Sequence, residues 1–377
     1  MSKTKKHEID YLDKPMPLFS ISMLISIVIF LLGLWGCLAI YSATSFSDSP
    51  FYYAGRQLLW LGLGMTVMLT IVRIPVEFFK KYLWMLVVAA YVPLLAVLVF
   101  GVRINGMKGW YSIGPLLFQP SEFAKTFFIL MLCRIATDMP RGFKRFLVMF
   151  GVTLLWTLPI MLEPDFGTAA IYFLGFLAIY WLVGEKLRYL LIPLPFGLAG
   201  LVLACYQMPY LLQRFKGFWD PGADPLGSGW HIRQFQFTLA RGGFTGSGAG
   251  RTIWSNSYLP LAHSDSVFAT MAESVGLAGS LPIIVVFLIL AYLFYKLSIK
   301  CSDKFEKLFV MAVGIFFVVQ AFVHISVNVT LLPPTGLTLP LLSYGGSSVI
   351  SIMVAAGIAL GIGGRREAAL DVAFSDD

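Results

Sequence analysis

Apolar stretches of about 20 residues recur along nearly the whole sequence, and this pattern constrains the fold more than any other feature. Each stretch is long enough to cross about 30 Å of hydrocarbon as an α-helix. The predicted fold is all-α: a polytopic membrane protein with about ten transmembrane helices and a large outer loop between helices 7 and 8. The spans are predicted at residues 18–42, 56–74, 82–101, 118–137, 146–163, 166–184, 189–209, 268–295, 308–331 and 347–364.

Composition excludes the soluble alternatives. Hydrophobic residues make up 58% of the 377 residues, and charged residues only 13%. The charged fraction is about half that of soluble proteins, so a water-soluble fold could not hide this much apolar surface. A disordered chain, a coiled coil and a disulfide-stapled secreted domain are excluded by the same figures. The four cysteines lack CxxC spacing and lie in or beside apolar stretches, which indicates packing residues rather than metal ligands.

Lysine and arginine residues predict the orientation of the chain. With an even number of spans, the two tails and every second loop lie on the same side of the membrane. Most of the 28 Lys and Arg residues fall in these segments, and positive charge favours the cytoplasmic side. We therefore expect a cytoplasmic N-terminal tail at 1–17, a single membrane domain at 18–364 and a cytoplasmic C-terminal tail at 365–377. The large outer loop lies at 210–266. This topology accounts for the net charge of +8, so nucleic-acid binding is not expected.

The predicted outer loop at 210–266 carries positive charge against the topological preference. A loop this long can be translocated whatever its charge, and that is one interpretation. The other is that an anionic ligand binds at the outer membrane surface. Aromatic residues alternate with Gly and Pro in this loop, so we expect short amphipathic helices there. Its basic residues are Arg214, Lys216, Arg233, Arg241 and Arg251.

Ionisable residues at membrane depth are candidates for function because they are costly to bury in lipid. Glu122 and Lys125 are three residues apart, hence neighbours on one helix face. They could form a structural ion pair, line a polar cavity that orients substrate, or do both. Asp165 is expected to cap the helix that follows it. The Pro- and Gly-interrupted stretch 332–348, which contains Ser343, is expected to line a wet cavity.

Asp265 is the strongest catalytic candidate. It lies where the outer loop enters the eighth predicted span, two residues after His263. Ser264 or Asp265 could serve only as a helix N-cap. Alternatively, a carboxylate at the mouth of a polar cleft, beside a basic loop, suits base-assisted attack on a phosphate-activated substrate. Glu273 would lie about two turns deeper and about 80° round the helix.

Familiar catalytic motifs are not found. The sequence has no P-loop, no GxSxG, no HExxH and no His/Cys cluster with metal-ligand spacing. The glycine-rich segment 242–250 superficially suggests a phosphate-binding loop, but no strand–helix unit surrounds it. We interpret it as a flexible turn that could bring backbone amides near a phosphate.

Taken together, the motifs resemble the SEDS family, the FtsW/RodA/SpoVE group of bacterial cell-wall polymerases. The resemblance covers nearly all of the chain, and the order and spacing of the motifs carry it. The matching motifs are Asn105-Gly with Trp110, Gln119-Pro-Ser-Glu-Phe-Ala-Lys125, Pro164-Asp-Phe-Gly-Thr168, Asp224-Pro-Leu-Gly, Gly242-Gly-Phe-Thr-Gly246, Leu259-Pro with Ala262-His-Ser-Asp265, Glu273 with Gly276 and Gly279, Gly336-Leu-Thr-Leu-Pro and Ser343-Tyr-Gly-Gly-Ser-Ser348.

The resemblance implies a peptidoglycan glycosyltransferase that polymerises lipid II at the outer face of the bacterial cytoplasmic membrane, during division or shape maintenance. The family's essential carboxylate falls on Asp265. No cofactor is certain, although a divalent cation (Mg²⁺ or Mn²⁺) could sit on the substrate diphosphate. The expected substrate-binding residues are Lys108, Glu122, Lys125, Arg214, Lys216, Arg233, Arg251, His263 and Ser343.

Some positions depart from the family pattern. Gly109 stands where the family generally has Arg, and Lys108 could substitute for that cation. Glu163 replaces a usual Gln, and His324 sits where Asn is common. The subgroup motifs are mixed: most resemble the division-type FtsW and SpoVE branch, while Asp224-Pro-Leu-Gly-Ser-Gly-Trp-His231 resembles RodA. The division type is favoured.

The resemblance also implies partners. A single-span class B penicillin-binding protein would supply the transpeptidase, and other divisome or elongasome membrane proteins would assemble with the pair. Two alternatives to a polymerase stay open: a lipid II flippase, and a non-catalytic scaffold for the transpeptidase. A scaffold needs neither Asp265 nor a basic outer loop. A flippase would need a polar path through the whole bilayer.

Overall fold

The computed structural model describes residues 20–104, 106–114, 116–195, 197, 206 and 209–375, and its regular structure is mostly helical. A 3-10 helix spans Leu187–Leu191. The strands are β1 (Val102–Ile104), β2 (Met107–Ile113) and β3 (Leu116–Phe118). The helices are α1 (Ile21–Ala43), α2 (Pro50–Val72), α3 (Val76–Lys81), α4 (Leu83–Phe100), α5 (Pro120–Asp138), α6 (Phe143–Leu162), α7 (Phe166–Leu182), α8 (Pro209–Trp219), α9 (Trp230–Gly242), α10 (Ile253–Tyr258), α11 (Val267–Ile299), α12 (Lys304–Asn328) and α13 (Gly346–Ser375).

The long helices confirm the predicted membrane architecture. Within the described residues, 7 helices are long and apolar enough to cross a membrane: α1, α2, α4, α6, α11, α12 and the first part of α13. The apolar helix α7 is slightly shorter, and α5 occupies the fourth predicted span. The predicted span 189–209 and the predicted tail 1–17 lie largely or wholly outside the described residues. The chain is a multi-pass membrane protein.

Helix α5 is less apolar than the other long helices because protein, not lipid, surrounds it. It packs against α4, α6, α7, α12 and α13. Glu122 and Lys125 are both buried in this setting. A charged pair is tolerated at this depth because neighbouring helices provide polar partners that lipid cannot provide. The central position of α5 therefore explains both its polar residues and its lower hydropathy.

A small antiparallel sheet follows α4 and was not predicted. Strand β2 pairs with β1 through Val102 and Trp110, and with β3 through Ile113 and Leu116. The β2–β3 turn contains Gly114, whose φ of +61° suits glycine because it lacks a Cβ. Strands β1 and β3 have three residues each, and the seven residues of β2 do not alternate strictly between apolar and polar, so the sequence gives little strand signal here.

Helix α11 is interrupted near the Asp265 end. Gly276 has φ 64° and ψ −170°, which no helix interior permits. The glycine-rich segment 242–250 lies against this break: the amides of Ser247 and Gly248 donate to the carbonyls of Glu273 and Ser274 at 2.9 Å each. In return, the amides of Leu277 and Ala278 donate to Gly243 and Phe244 at 3.0 Å each.

These hydrogen bonds correct the interpretation of the glycine-rich segment. The amides of Ser247 and Gly248 bind the interrupted helix and are therefore not free to bind a phosphate. Backbones approach closely here, since a Cβ on Gly246 would lie 2.3 Å from the Ser274 carbonyl oxygen. The glycines are needed for packing, and the segment fixes α9 against α11.

The core has two parts that matter for function. One large cluster of buried residues connects the long helices. A smaller cluster holds α9 and the segment before Asp265 against the ends of α1, α11 and α12. Its members are Ala43, Phe235, Leu259, Ala262, Ala269 and Val327. Helix α9, one of the three helices in the region where short amphipathic helices are predicted, is thereby attached to the bundle.

Candidate active site at the start of helix α11

Asp265 lies in the turn that precedes α11, and it is not the helix N-cap. The N-cap is Ser266, whose side chain makes no capping hydrogen bond. The Ser264 side chain also does not cap α11; it hydrogen-bonds to Asp265. The interpretation of either residue as only an N-cap is therefore wrong. The Asp265 carboxylate is left available for another role.

Three consecutive carbonyls hold the backbone of this turn. The His263 carbonyl accepts from the Tyr344 amide at 2.9 Å, and the Ser264 carbonyl accepts from the Ser343 hydroxyl at 2.7 Å. The Asp265 carbonyl accepts from the Asn328 side-chain amide at 3.0 Å. Two parts of the chain distant in sequence therefore fix the backbone that carries Asp265. Such fixation by surrounding hydrogen bonds is what a catalytic group requires.

The environment of Asp265 raises the affinity of its carboxylate for protons. Burial raises the pKa of Asp265 to about 6; the hydrogen bond from Ser264 opposes this shift, nearby Asp165 adds to it, and Arg214 opposes it. A carboxyl group with a pKa near 6 is mostly ionised at neutral pH and accepts a proton more readily than an ordinary aspartate does. The site therefore suits general-base chemistry.

Arg214 on α8 is the predicted cation whose charge acts on Asp265. Its Nη1 donates to the carbonyl of Pro334 at 3.3 Å, so it connects α8 to the irregular stretch before α13. Gly336 lies on the same stretch, and its Cβ position would be 3.7 Å from Asp265 Oδ2. Arg214, the 332–348 stretch and Asp265 are therefore brought together.

The other predicted cations are distributed differently. Lys216 and Arg251 have exposed side chains, and Arg233 lies over the ring of Phe237 at 5.5 Å. Lys108 donates to the carbonyls of Leu98 and Val99 at 2.8 and 2.9 Å, which places its charge at the C-terminus of α4. A cation there is favoured by the helix dipole. The assignment of these residues to substrate binding stays a prediction.

Glu122 and Lys125 form the predicted ion pair, with Lys125 Nζ 2.7 Å from Glu122 Oε1. Lys125 also donates to the side chain of Gln320 at 3.2 Å, and Gln320 donates to the carbonyl of Thr338 at 3.0 Å. These contacts connect α5 to α12 and to the irregular stretch. The structural ion pair is confirmed. A cavity of about 30 Å³ lies beside Lys125 and Gln320, but a role of the pair in orienting substrate stays a prediction.

Asp165 caps α7, as predicted, by accepting from the Thr168 amide at 2.9 Å. Its other oxygen accepts from the Gln119 side chain at 3.4 Å. The charge of Asp165 raises the pKa of Asp265, so the turn before α7 belongs to the same electrostatic environment.

His263 and Ser343 contribute to the site through position. The ring of His263 stacks on Tyr53 at 4.5 Å and meets Tyr344 edge-on at 5.5 Å. Burial lowers the pKa of His263, which keeps the imidazole neutral. The Ser343 hydroxyl donates to the Ser264 carbonyl and accepts from the Leu339 amide, each at 2.7 Å, so its proton and one of its two acceptor positions are used within the protein.

Sequence reasoning missed several participants. Asn328 ends α12 and donates to Asp265, while its oxygen accepts from the Ala269 amide at 3.0 Å. Arg56 on α2 donates to the Tyr52 hydroxyl at 2.8 Å, and its charge acts on Tyr344. Two features of the sequence could have indicated these residues. Asn328 is a polar residue at the end of an apolar span, and Arg56 is a lone cation near the start of another.

Gly109 and Glu163 form a matched pair. A Cβ on Gly109 would lie 2.5 Å from Glu163 Oε2, so no larger residue fits beside this carboxylate without movement. Both oxygens of Glu163 are buried without a hydrogen-bond partner. The two departures from the family pattern therefore occur at one place in the structure.

The described residues do not provide a resident metal site. No group of three or more His, Cys, Asp or Glu side chains among them is arranged to hold a metal ion. Any divalent cation on a substrate diphosphate stays a prediction, and no catalytic step is assigned to it.

Fold and site together define a class: a multi-pass membrane protein with a central polar helix, an interrupted span and a fixed, partly buried aspartate at one end of the bundle. Within that class, the chain belongs to the FtsW/RodA/SpoVE family, whose model, described as cell cycle protein, matches residues 19–367.

Relatives and solved structures agree with this assignment. The chain is 35% identical over 350 residues to a protein of Nitrosococcus halophilus, "Probable peptidoglycan glycosyltransferase FtsW", covering 89% of this chain and 90% of the relative. An Escherichia coli O6:H1 protein of the same description is 32% identical, covering 82% and 76%.

Two solved structures share the fold. One is described as "Structural coordination of polymerization and crosslinking by a peptidoglycan synthase complex", with a TM-score of 0.75, 28% identity and coverage of 91% of this chain and 96% of the other. The second is the rod shape determining protein RodA of Thermus thermophilus, with a TM-score of 0.66, 26% identity and coverage of 91% and 95%.

Proposed function

We propose that this chain is a peptidoglycan glycosyltransferase that polymerises lipid II. The observation that carries the proposal is the Asp265 carboxylate, which stands on a turn held through three backbone carbonyls and has a pKa raised to about 6 in the field of the cation Arg214. The names of the relatives, and the description of the similar synthase complex, support the same activity.

Asp265 acts as the general base. It accepts the proton of the GlcNAc 4-hydroxyl of an incoming lipid II as that oxygen attacks the anomeric carbon of the growing glycan. The bond from the anomeric carbon to the undecaprenyl diphosphate breaks, and the configuration at that carbon is inverted. A base with a pKa near 6 is ionised at neutral pH and still accepts a proton, which favours this step.

Cations stabilise the leaving diphosphate, on which negative charge develops in the transition state. Arg214 is placed for this role because its charge already acts on Asp265. Lys216, Arg233 and Arg251 lie on the same three-helix region and would extend the positive surface along the substrate. Lys108 stabilises the C-terminus of α4 and has a smaller part in binding.

The deeper polar groups shape the cleft. The Glu122–Lys125 pair holds α5 against α12 through Gln320, which keeps the irregular stretch in place. His263 and Ser343 fix the turn that bears Asp265. These residues act as positioning groups and not as proton donors or acceptors in the reaction.

We assign the Asp265 end to the outer face of a bacterial cytoplasmic membrane, with both termini cytoplasmic. The distribution of Lys and Arg supports this orientation. A transpeptidase would crosslink the product strands, in keeping with the polymerisation and crosslinking named for the similar synthase complex. We propose a class B penicillin-binding protein as this partner and a role in division, since the similar relatives are FtsW proteins.

A lipid II polymerisation assay tests the activity. Purified protein, with and without a co-purified transpeptidase, is expected to convert lipid II into glycan strands. Asp265→Asn keeps the size of the side chain and removes the base, so the rate should fall by a factor of about 100 or more. Glycan length on gels and release of undecaprenyl diphosphate both measure the reaction.

Asp48→Asn is the matched control, because Asp48 is an exposed aspartate in the α1–α2 loop. It should leave the rate unchanged. Full activity of Asp265→Asn would contradict the assignment of the base. Transport of lipid II across vesicles without formation of glycosidic bonds would instead favour a flippase, and a need for the chain only as a binding partner would favour a scaffold.

A further inference from the structure

A second cavity, of about 720 Å³, lies at the opposite end of the bundle from Asp265. It is walled by the C-terminal ends of α5 and α7, the loop before α6 and the first turns of α12. Asn328, which binds Asp265, ends α12, and Lys304 begins it, so about 36 Å of helix separates the two sites. The catalytic proposal does not use this cavity.

The cavity lies where spans begin and end, which places it at the level of the lipid headgroups. Trp181, in the last turn of α7, is 67% exposed, as expected for an aromatic residue at a membrane interface. Apolar side chains of Leu182, Val183, Leu308 and Met311 form part of the lining. A ligand here would contact both water and the bilayer.

The charged lining is basic. Arg141, Arg145, Lys304 and Lys307 line the cavity, against the single acid Asp138. Asp138 already pairs with Arg134 at 2.7 Å. Among the described residues, no carboxylate lies within ion-pair distance of Arg141, Lys304 or Lys307.

The nearby acids are engaged elsewhere. Glu306 and Asp303 lie 2.9 and 3.4 Å from Lys80, and Asp303 also caps α12. Glu185 pairs with Arg145, which is only 4% exposed. The positive charge of the lining is therefore not neutralised by the described protein.

The N-terminus of α6 adds to this positive potential. Helix α6 begins after Gly142 without a side-chain cap and has no acid in its first turn, where Lys144 and Arg145 lie; only Glu185, which pairs with Arg145, accepts from the Gly142 amide, at 3.4 Å. The N-terminus of α12 is already compensated by its cap Asp303 and by Glu306, so Lys304 and Lys307 contribute there through their own charges. Cations at a helix N-terminus are unfavourable, and a bound anion would offset both these charges and the dipole of α6.

We propose that this cavity binds the phosphate headgroup of an anionic bilayer phospholipid. The phosphate would lie among Arg141, Lys304 and Lys307, and the first carbons of the acyl chains would lie on Leu308 and Met311. The apolar part of the lining and its position at the membrane surface favour a lipid over an acidic polypeptide. Basic pockets between transmembrane helices bind anionic headgroups in this way.

Binding is tested with purified protein in a neutral detergent, by thermal unfolding and native mass spectrometry. The probes are phosphatidylglycerol, phosphatidylcholine and inorganic phosphate. Phosphatidylglycerol is expected to bind and to raise the unfolding temperature, whereas phosphatidylcholine and inorganic phosphate should have little effect. The double variant Lys304→Gln/Lys307→Gln should weaken phosphatidylglycerol binding about 30-fold.

Lys81→Gln/Lys296→Gln is the matched control, because it removes two charges at the same end of the bundle outside the cavity lining. It should change the affinity by less than about twofold. Lys304→Arg/Lys307→Arg keeps the charge and should retain binding, which separates loss of the site from misfolding.

Equal binding of phosphatidylglycerol and phosphatidylcholine would overturn the proposal, as would equal losses in the two glutamine double variants. Full stabilisation by inorganic phosphate alone would show an anion site without lipid recognition, and would also overturn it. A soluble glutamate decapeptide is the last arm: if it binds and phosphatidylglycerol does not, the cavity is a protein docking site.

Discussion

Two carboxylates eight residues apart, Asp265 and Glu273, have opposite surroundings. Glu273 is fully buried and accepts from the amides of Trp254 and Ser255 at 3.0 and 2.8 Å, and from the Ser255 hydroxyl. It also pairs with Arg241 Nε at 3.2 Å. Asp265 receives one side-chain hydrogen bond, from Ser264, and the field of Arg214.

The difference separates a structural acid from a chemical one. Glu273 binds the N-terminus of α10 to α11, and its charge is fully compensated by donors. Such a group stabilises the fold. Asp265 is desolvated with few donors, so its proton affinity is raised. Burial together with incomplete compensation is typical of catalytic groups.

The largest expected effect comes from removing the charge of Glu273. Glu273→Gln weakens several charge-assisted hydrogen bonds at once and leaves Arg241 without its partner, so it should lower the free energy of unfolding by about 3 kcal/mol. Polymerisation should fall as well, because α10 leads directly into the Asp265 turn. Thermal unfolding in detergent and the lipid II assay measure the two effects.

Glu77→Gln, on an exposed side of α3, is the control for Glu273→Gln and should leave stability unchanged. Asp265→Asn should show the reverse pattern, with activity lost and stability retained. If both variants lost stability to the same extent, the distinction between the two acids would be wrong.

The next effect concerns the attachment of the glycine-rich segment to α11. Gly246→Ala places a Cβ 2.3 Å from the Ser274 carbonyl oxygen at a φ of +81°, so the segment must move away from the break at Gly276. We expect a loss of about 3 kcal/mol, the sum of backbone strain and the hydrogen bonds disrupted.

Gly248→Ala is the control for the glycine contact. Its φ is +97°, but the added Cβ would meet only Arg251 Cδ, at 3.6 Å. It should cost about 1 kcal/mol from backbone strain alone. Equal losses for the two variants, measured by thermal unfolding, would mean that the close approach to α11 adds nothing.

The sequence predicts those parts of this architecture that depend on local pattern. The spans follow from hydropathy, the Asp165 cap from residue type and the Glu122–Lys125 pair from helical spacing. The short helices of the 209–258 region follow from aromatic residues that alternate with Gly and Pro. Each of these features is decided within about one or two helical turns.

The remaining features depend on contacts between distant segments. Residues Gly243 and Leu277 are brought together by the path of α9, α10 and the Asp265 turn, and no local pattern encodes their hydrogen bond. The same holds for the hydrogen bond from the Ser343 hydroxyl to the Ser264 carbonyl, while the assignment of Ser343 to substrate binding stays a prediction. The sequence could not predict whether hydrogen-bond donors compensate the charge of Asp265 or that of Glu273, because the donors to Glu273 come from α10.

The pH dependence of activity and stability sharpens the comparison of the two acids. The pKa of Asp265 is raised from 3.8 to about 6 by burial, so the folded protein binds this proton more tightly than the unfolded chain does. The group therefore contributes stability below about pH 4, and this contribution is lost as pH rises through about 6. Activity should rise over the same interval, because the base must be ionised.

Arg214 gives the smallest and most specific effect. Its charge lowers the pKa of Asp265, so Arg214→Gln should move the acid limb of the pH–rate profile to higher pH. Lys216→Gln removes an exposed cation two residues away that has no such influence on Asp265, and its acid limb should stay in place whatever its effect on the maximal rate. Equal displacement by both variants would mean that the acid limb reports the total charge of the loop and not the field of Arg214 at the carboxylate. Asp265 would be identified as the group that titrates by two results together. Only Arg214→Gln would displace the acid limb, and Asp265→Asn would lose the change in stability as pH rises through about 6.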